Sequence, residues 1–535
     1  MSSRPANFVE DTFLEGFGLN DQSNERWHRR ERRRRRVNGQ QYERLGSSSS
    51  GNDEDLEAAV VDSLTDEVVS QMQSLAVERS ADAAVAGVGS GGNQGRSAIA
   101  VHNSLGSGGG RSSNSSSNAR DIEQDMWNFL DNAAQVFGHS SELKEVVVSD
   151  IRNGYDPQGY NWRGKVIQKE VYVGYRKRMY PRYQDVQHNV RQVRQMSDCI
   201  DTMHSFYDFR YSAIGDDFRC QIGHLQHRDM LWATSSYDLY YSHAGGVYCW
   251  NPWQRLAHRR VLDRSQMPRA FRMRSMCVDG GVVFVGDSKG DYCIKSLLAD
   301  TGSVAAGSLA AGSGADAIRH ASPTVSRSGA LHIVSSHQSG AVRRLDACDL
   351  SVAHTSTMDW PANCSSLAHG GTMQCVVGNS TDAQLVDPRR GSNDCVARLT
   401  GHLDYSFSCA LSPDGRLVAT GSQDTSVRVY DVRWPHQTLA TLGGYVGAMH
   451  VVKFSQCGRF LLGMESADYV HVYDVQSSFK RAQVVGLMGE TAGVAFSPDS
   501  NCLFLSVSDP VHGSSLAEYN LVSTHAGETP YSLYH

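Results

Sequence analysis

A turn motif returns along the C-terminal part of this chain at a nearly constant interval. Ser326 opens SRSG, His369 opens HGGT, Ser412 opens SPDG, Ser455 opens SQCG and Ser497 opens SPDS. Such spacing falls in the range of roughly 40–45 residues that a unit of four short antiparallel strands occupies. Each turn precedes a short apolar run, LVATGS, FLLGM and CLFLSVS being the clearest, bounded by Gly, Asp and Ser. Runs of this kind read as strands buried on both faces and are too short for core helices. A single unit cannot bury both of its faces, so the units must stack on one another. Two weaker copies, VDGGVVFVGDSKGDYCIKSL from Val278 and HRDMLWATSSYDLYY from His227, bring the number read from the sequence to seven. The Gly/Ala/Ser-rich stretch Thr301–Gly314 lengthens one connection without changing the period.

The most regular copy, GHLDYSFSCALSPDGRLVATGSQDTSVRVYDVR from Gly401 to Arg433, resembles a WD repeat, with Tyr430-Asp431 where that family usually has Trp-Asp. The resemblance implies an all-β fold, a seven-bladed WD-repeat β-propeller, and the Ser-, Gly- and charge-rich composition ahead of it reads as a largely disordered N-terminal extension. On this reading 1–120 is a Ser/Gly/Arg-rich tail and 121–198 a basic, aromatic-rich segment of helical or extended character. The propeller spans 199–522, and 523–535 is a C-terminal tail. The resemblance also assigns a structural tetrad to His402, Thr420 or Ser422, Asp424 and Tyr430. The Asp fixes one imidazole nitrogen, the other nitrogen meets the hydroxyl, and the hydroxyl meets the aromatic donor. The same residue types could suggest a Ser-His-Asp hydrolase, but here they staple the fold. Tyrosine weakens the last link, because a phenol does not place its donor as an indole does.

Charge and cysteine usage narrow the function. The net charge of −6 over 535 residues provides no global field that would draw the chain to nucleic acid. All 12 cysteines lie at or after Cys199, singly and with no C-x-x-C pair, as expected of small buried thiols in a reducing compartment. No run is apolar enough to span a membrane, and Glu10, Asp11 and Glu15 argue against a signal segment. An intracellular setting, nuclear or cytoplasmic, is expected. A literal G-x-G-x-x-G at Gly87, Gly89 and Gly92 has neither the strand before it nor the helix after it that a dinucleotide site needs. His224 and His227 have no carboxylate or thiol cluster nearby and read as ordinary strand and turn histidines. No catalytic set, metal site or cofactor is expected, and no small-molecule substrate.

Three features precede the repeats. RWHRRERRRRR, with Arg29, Arg30 and Arg32, Arg33, Arg34, Arg35 and Arg36, reads as a nuclear localisation signal, a nucleic-acid-contacting arm or a solvated tract. Two stretches, Asp53–Val77 and Asp121–Phe137, place apolar residues at helical spacing. Between the tail and the repeats, Arg163, Lys165, Lys169, Arg176, Lys177, Arg178 and Arg182 interleave with Tyr172, Tyr175, Tyr180 and Tyr183. That pattern suits either a grip on single-stranded nucleic acid or, as favoured here, an extension packed across the propeller rim. HSFYDFRYS, from His204 to Ser212, alternates like a strand and is expected to close the last blade from outside.

From about Tyr160 to Tyr519 the order of these motifs resembles an uncharacterised family of eukaryotic WD-repeat proteins found in fungi and plants. The resemblance implies a propeller but no established activity. The leading expectation is a non-enzymatic scaffold that presents a propeller face to a protein or peptide. Tyr405, Phe407, Gln423, His450 and Glu490 are placed on the candidate partner-binding face. An alternative is a substrate receptor of a cullin–RING ubiquitin ligase, because VATGSQDTSVRVYDVR resembles the motif that docks the ligase adaptor through Tyr430, Asp431 and Arg433. A second alternative is a chromatin- or RNA-associated protein acting through the basic segments.

Overall fold

The computed structural model describes residues 143–522, apart from 164–168, 181, 216–217, 223–227, 255–257, 299–302, 311–314, 327, 369, 390–394 and 509–513. These residues lie in one compact unit, Ser80–His535. Two strands, β1 (Glu145–Val147) and β2 (Tyr207–Ile214), come before the repeats. Five four-stranded antiparallel sheets follow in the main order of the chain. The first comprises β3 (Leu231–Ala233), β4 (Leu239–His243), β5 (Gly246–Trp250) and β6 (Arg259–Leu262). The second comprises β7 (Met273–Asp279), β8 (Val282–Asp287), β9 (Asp291–Ser296) and β10 (Ala305–Ser308). The third comprises β11 (Ile318–Val325), β12 (Leu331–His337), β13 (Ala341–Asp346) and β14 (Val352–Thr357). The fourth comprises β15 (Ala362–Leu367), β16 (Gln374–Gly378), β17 (Ala383–Val386) and β18 (Cys395–Leu399). The fifth comprises β19 (Ser406–Leu411), β20 (Leu417–Ser422), β21 (Ser426–Asp431) and β22 (Thr438–Gly443). The remaining strands are β23 (Met449–Phe454), β24 (Phe460–Glu465), β25 (Ala467–Asp474), β26 (Ala482–Phe496), β27 (Cys502–Ser508) and β28 (Ser515–Leu521). They join β2 and β1 in a single eight-stranded sheet.

Apart from β1, that large sheet is two four-stranded units sharing one strand. The first half of β26 pairs with β25 through Gly486, and its second half pairs with β27 from Glu490 to Phe496. The innermost strands β3, β7, β11, β15, β19 and β23 pack side by side in that order, and β26 packs against both β23 and β3. The sheets therefore close into a ring. Its core is not one central cluster but a layer between each pair of neighbours. Phe284 and Tyr292 of the second sheet meet Ile318, Ile333 and Leu345 of the third. Likewise Cys375, Val377 and Leu385 of the fourth meet Cys409, Val418 and Tyr430 of the fifth. Burying such aliphatic and aromatic side chains stabilises the ring by about 1.5–3 kcal/mol each before entropy is counted. Only sheet stacking can bury them.

The ring closes through β2, which runs antiparallel to β28 from Tyr207 opposite Leu521 to Ile214 opposite Ser515. This is the outer strand expected from HSFYDFRYS. β1 then adds to β2 for three residues and covers its outer edge.

The recurring turn has one hydrogen-bond design. The Ser412 amide donates to the Leu417 carbonyl, and the Ser412 hydroxyl accepts from the Leu417 amide. Ser455 with Phe460 and Ser497 with Cys502 repeat the pair. Three residues after the serine, Gly415 and Gly458 both take φ +71°, and Ser500 adopts the same left-handed backbone at φ 61°. Serine thus caps the turn in these three units, whereas glycine only eases it. In the fourth sheet the amide-to-carbonyl bond of this turn is made by Ala368 to Met373, and Gly371 is the left-handed residue. The unit opens at Ala368, one residue before the expected His369, because the backbone pattern survives without the hydroxyl.

The expected staple forms in the fifth sheet. His402 Nδ1 lies 2.9 Å from Asp424 and His402 Nε2 lies 2.8 Å from the Thr420 hydroxyl. Thr420, not Ser422, is the middle member: Ser422 donates instead to the carbonyls of Asp404 and Tyr405. The Tyr430 hydroxyl reaches past the threonine to the Thr400 carbonyl at 3.0 Å. Burial pushes the Asp424 carboxyl up, but His402, the Ser426 hydroxyl and the Leu403 amide together hold it well below the usual range.

Two other sheets build the same couple from different positions. In the third, Asp316 sits before the inner strand and His337 ends the second strand, 3.4 Å away, with the Ser335 hydroxyl 2.9 Å from His337 Nε2. Acid and base have exchanged places relative to His402 and Asp424. In the large sheet, Glu465 accepts from the Tyr445, Val446 and Gly447 amides and pairs with His471 Nε2 at 2.7 Å.

Asp424→Ala leaves a buried imidazole and several backbone amides unpaired, so equilibrium urea unfolding is expected to show a loss of about 3 kcal/mol. Tyr430→Phe removes one hydrogen bond and should cost only about 1 kcal/mol. The reverse order would refute the staple as drawn. Because the Asp424 pKa is depressed in the folded chain, its contribution is present at neutral pH and is lost as the pH falls through the acid range. Asp424→Asn should therefore flatten the acid limb of the stability profile.

Candidate functional site

The loops of the ring fall on two faces. The turns between second and third strands and the connections into each inner strand define an upper face; the Ser-Pro-Asp-Gly turns and the Asp431–Arg433 corner define a lower one. The segment between β1 and β2 carries three helices: α1 (Val148–Arg152), α2 (Lys169–Met179) and α3 (Val190–Met196). They lie on a strap that crosses the upper face.

The strap is anchored by polar contacts in series. Gln158 exchanges both its amide groups with the backbone of Met488 at 2.6 Å. From α2, Arg176 forms a two-pronged ion pair with Asp468, 2.9 and 2.8 Å, both side chains being almost wholly buried. Tyr180 donates to Ser466 at 3.0 Å, Arg182 donates to the Tyr445 carbonyl, and the Lys177 ammonium lies 4.5 Å from the Tyr445 ring centroid. Further on, Asp404 accepts the amides of Asp185 and Val186, and Gln423 donates to the Tyr183 carbonyl at 2.6 Å. Asn189 caps α3 by accepting the Arg191 amide. The chain then descends along the fifth sheet, where Asp198 pairs with Thr441 through both backbone and carboxylate. Finally Gln483 gathers the amides of Phe206 and Tyr207 into β2.

The extension expected at the rim is therefore present, and three of the cations that could have gripped nucleic acid are engaged within the chain. Arg176 is neutralised by Asp468; Lys177 and Arg182 serve Tyr445. Tyr172 is buried beside Arg176.

The residues expected on a partner-binding face are not an open patch. Phe407 and His450 are buried and stack on each other, ring centroids 5.1 Å apart. Glu490 is buried 3.7 Å from Arg228. Gln423 is committed to the strap, and Tyr405 is half-buried beneath the same crossing. For Gln423 the cause is simple: the strap residue that it meets, Tyr183, lies 240 positions earlier in the chain.

On the lower face, Arg433 is well exposed and grips Asp431 through Nε and a terminal nitrogen at 2.9 and 2.5 Å, while Tyr430 is buried beneath. Trp434 beside it is 72 % exposed. Sequence reading missed that the preceding sheet repeats the fork: Arg389 grips Asp387 at 2.8 and 2.7 Å from the same strand end. The signal was an Asp-x-Arg directly after β17, hidden because Val386 replaces the aromatic.

Arg29, Arg30 and Arg32–Arg36, the helical stretches 53–77 and 121–137, Lys165, His224 and His227 lie outside the described residues. Among the described residues no group of three or more His, Cys, Asp or Glu is placed to hold a metal ion, and no helix is long and apolar enough to cross a membrane.

Arg176→Ala leaves the Asp468 carboxylate buried with only the Gly489 amide, so amide exchange across 169–186 should accelerate on the order of a hundredfold, the scale of about 3 kcal/mol for a broken buried pair. Equal acceleration in β19–β22 would mean that the strap is not a separable element. Burial and then Asp185 push the Asp404 carboxyl up to about 6 against the pull of its amide donors and His188. A carboxyl raised in the folded chain holds its proton more tightly there, so its penalty is present above pH 6 and relieved below it. Strap exchange in 182–188 is expected to slow as the pH falls from 7 to 5, after correction for intrinsic rates, and Asp404→Asn should abolish that trend.

Residues 393–431 match the family model described as WD domain, G-beta repeat. No curated protein is similar at a significant level. Among solved structures, a chain of "Crystal Structure of Mitotic Checkpoint Complex" aligns over 61 % of this chain and 96 % of its own, with 15 % identity and a TM-score of 0.48. With the matched repeat at the fifth sheet, a tetrad at its expected place and a ring of four-stranded units, the chain is a WD-repeat β-propeller protein.

Proposed function

We propose that the chain is a non-enzymatic scaffold, a seven-bladed propeller in the nucleus or cytoplasm that holds protein or peptide partners. The observation carrying this reading is the strap. It occupies the upper face over β19–β28 with the chain's own residues and engages Arg176 and Lys177 of α2, which leaves the channel mouth beside β3–β18 and the lower face for partners. Where ionisable side chains converge in the ring, they are spent on one another as staples, as in His402 with Asp424 and His471 with Glu465.

A second reading, a substrate receptor that docks a ubiquitin-ligase adaptor, is favoured by the paired forks at Asp387–Arg389 and Asp431–Arg433. Two guanidinium groups held in one orientation on adjacent sheets, with Trp434 exposed beside one of them, make a surface able to seat an acidic partner. An association with chromatin or RNA would rest on Arg29–Arg36 and on those cations of 163–182 that the strap does not engage.

Proximity labelling in the native cell tests these readings with the full chain, Arg433→Ala, Arg389→Ala and a form with Arg29–Arg36 neutralised. A fixed protein set that survives all three changes supports the scaffold. Adaptor and cullin subunits that vanish with either lower-face substitution identify the receptor. Labelling no richer than that of a free tag would overturn the scaffold reading.

A further inference from the structure

Six inner strands open with the same irregularity. Register shifts between Met273/Ser275, Ile318/His320, Ala362/Cys364, Ser406/Ser408, Met449/Val451 and Thr491/Gly493 leave one bulged residue in each strand. A bulge re-aims its side chain, and these residues are Arg274, Arg319, Asn363, Phe407, His450 and Ala492. The first five line one cavity at the upper mouth of the channel, open on one side to solvent. On one side the stacked rings of Phe407 and His450 form its wall. On the other, from adjacent strands β7 and β11, stand Arg274 and Arg319.

We propose that Arg274 and Arg319 bind a phosphate monoester at the mouth of the propeller channel, a reading of the partner chemistry that rests on the scaffold function above. Arg319 is held by neutral groups only. Its terminal nitrogens donate to the side-chain oxygens of Asn363, Asn379 and Gln338, and Asn363 is itself fixed by donating to the Ser406 carbonyl at 3.0 Å. Arg274 makes no hydrogen bond or ion pair among the described residues.

Two of the other charges near the cavity are already committed. Arg228 donates to the Ser466 and Thr491 carbonyls and faces Glu490. Asp229 is paired with Lys453 at 2.5 Å, with His320 at 3.9 Å. Asp287, the carboxylate that acts on Arg274, accepts the amides of Lys289 and Asp291 through Oδ1 alone, and its Oδ2 is buried with no hydrogen bond among the described residues. Arg272, exposed nearby, adds further positive charge. Burial lowers both guanidinium pKa values, and Arg274 lowers that of Arg319 further, to about 10.

Two partly desolvated guanidinium groups, neither in an ion pair among the described residues, are compensated by a doubly charged oxyanion. A carboxylate would leave one charge over. A phosphate monoester brings −1.5 to −2 and three acceptor oxygens, the geometry that arginine forks fit. The amides around Arg319 orient its fork before the ligand arrives.

The test uses the full chain with two probes at constant ionic strength. The first is inorganic phosphate against chloride, read as a thermal shift. The second is a degenerate phosphoserine dodecapeptide pool against its unphosphorylated twin, read by fluorescence anisotropy. We expect phosphate-dependent binding that Arg274→Gln weakens on the order of tenfold or more, the loss of one or two charge-assisted hydrogen bonds. Arg319→Lys, which keeps charge but removes the fork, should weaken it less. Arg274→Gln should melt in chloride as wild type does, since Arg274 braces nothing. Peptide binding lost in the variants identifies a phosphorylated side chain as the source; phosphate binding alone, lost in the same way, identifies a free anion. Absence of any phosphate effect, or an effect that both variants retain, overturns the proposal. Scaffold partners that persist with Arg274→Gln while phosphate never binds would sink this site and leave the scaffold reading standing.

Discussion

A four-stranded sheet whose two faces are both apolar has no stable existence by itself. Every other property of this molecule follows from that constraint. Each sheet needs a neighbour on either side, so the stack must bend into a ring, and the ring must close without leaving an edge. The chain solves closure by laying β2, from before the repeats, onto β28, from their end. The cost is a loop of more than three hundred residues fixed by one seam, an entropic burden that grows only slowly with length. The buried layers between sheets offset it.

The polar side chains in the ring serve the same end. His402 with Asp424, Asp316 with His337 and Glu465 with His471 are three ways of tying the connection into one sheet to the turn of the same sheet. What persists is a buried acid–imidazole couple, with a hydroxyl at the ring's far nitrogen in the first two; which residue stands at which end is free. Each couple satisfies amides that would otherwise be buried without partners, which explains how charged groups are tolerated in an apolar stack.

Much of the fold was legible because its signals are local. Serine turns, short apolar runs and the alternation of HSFYDFRYS each declare a strand or a turn within ten residues. The tetrad at His402 was legible for the same reason, leaving only the choice between Thr420 and Ser422 to geometry. The exchanged couple Asp316–His337 escaped notice because its members occupy positions where the repeat pattern expects the opposite type. The partner face was misjudged for a deeper reason. Arg176 and Asp468 are 292 positions apart, and nothing near either residue announces the other. A basic, tyrosine-rich segment carries the same composition whether it meets phosphate or its own propeller. The bulged arginines were likewise silent, since a bulge is a property of the pairing between strands.

The order of contacts along the strap gives the molecule a mechanical grain. A pull arriving from the N-terminal tail meets β1 first, then Gln158, then the Arg176–Asp468 pair, then Asp404, and only afterwards the seam at β2. These links bear load in series, each peeled before the next is strained. The strand whose loss would open the ring is thus the last in line, sheltered behind anchors that can break and re-form while the propeller stays shut.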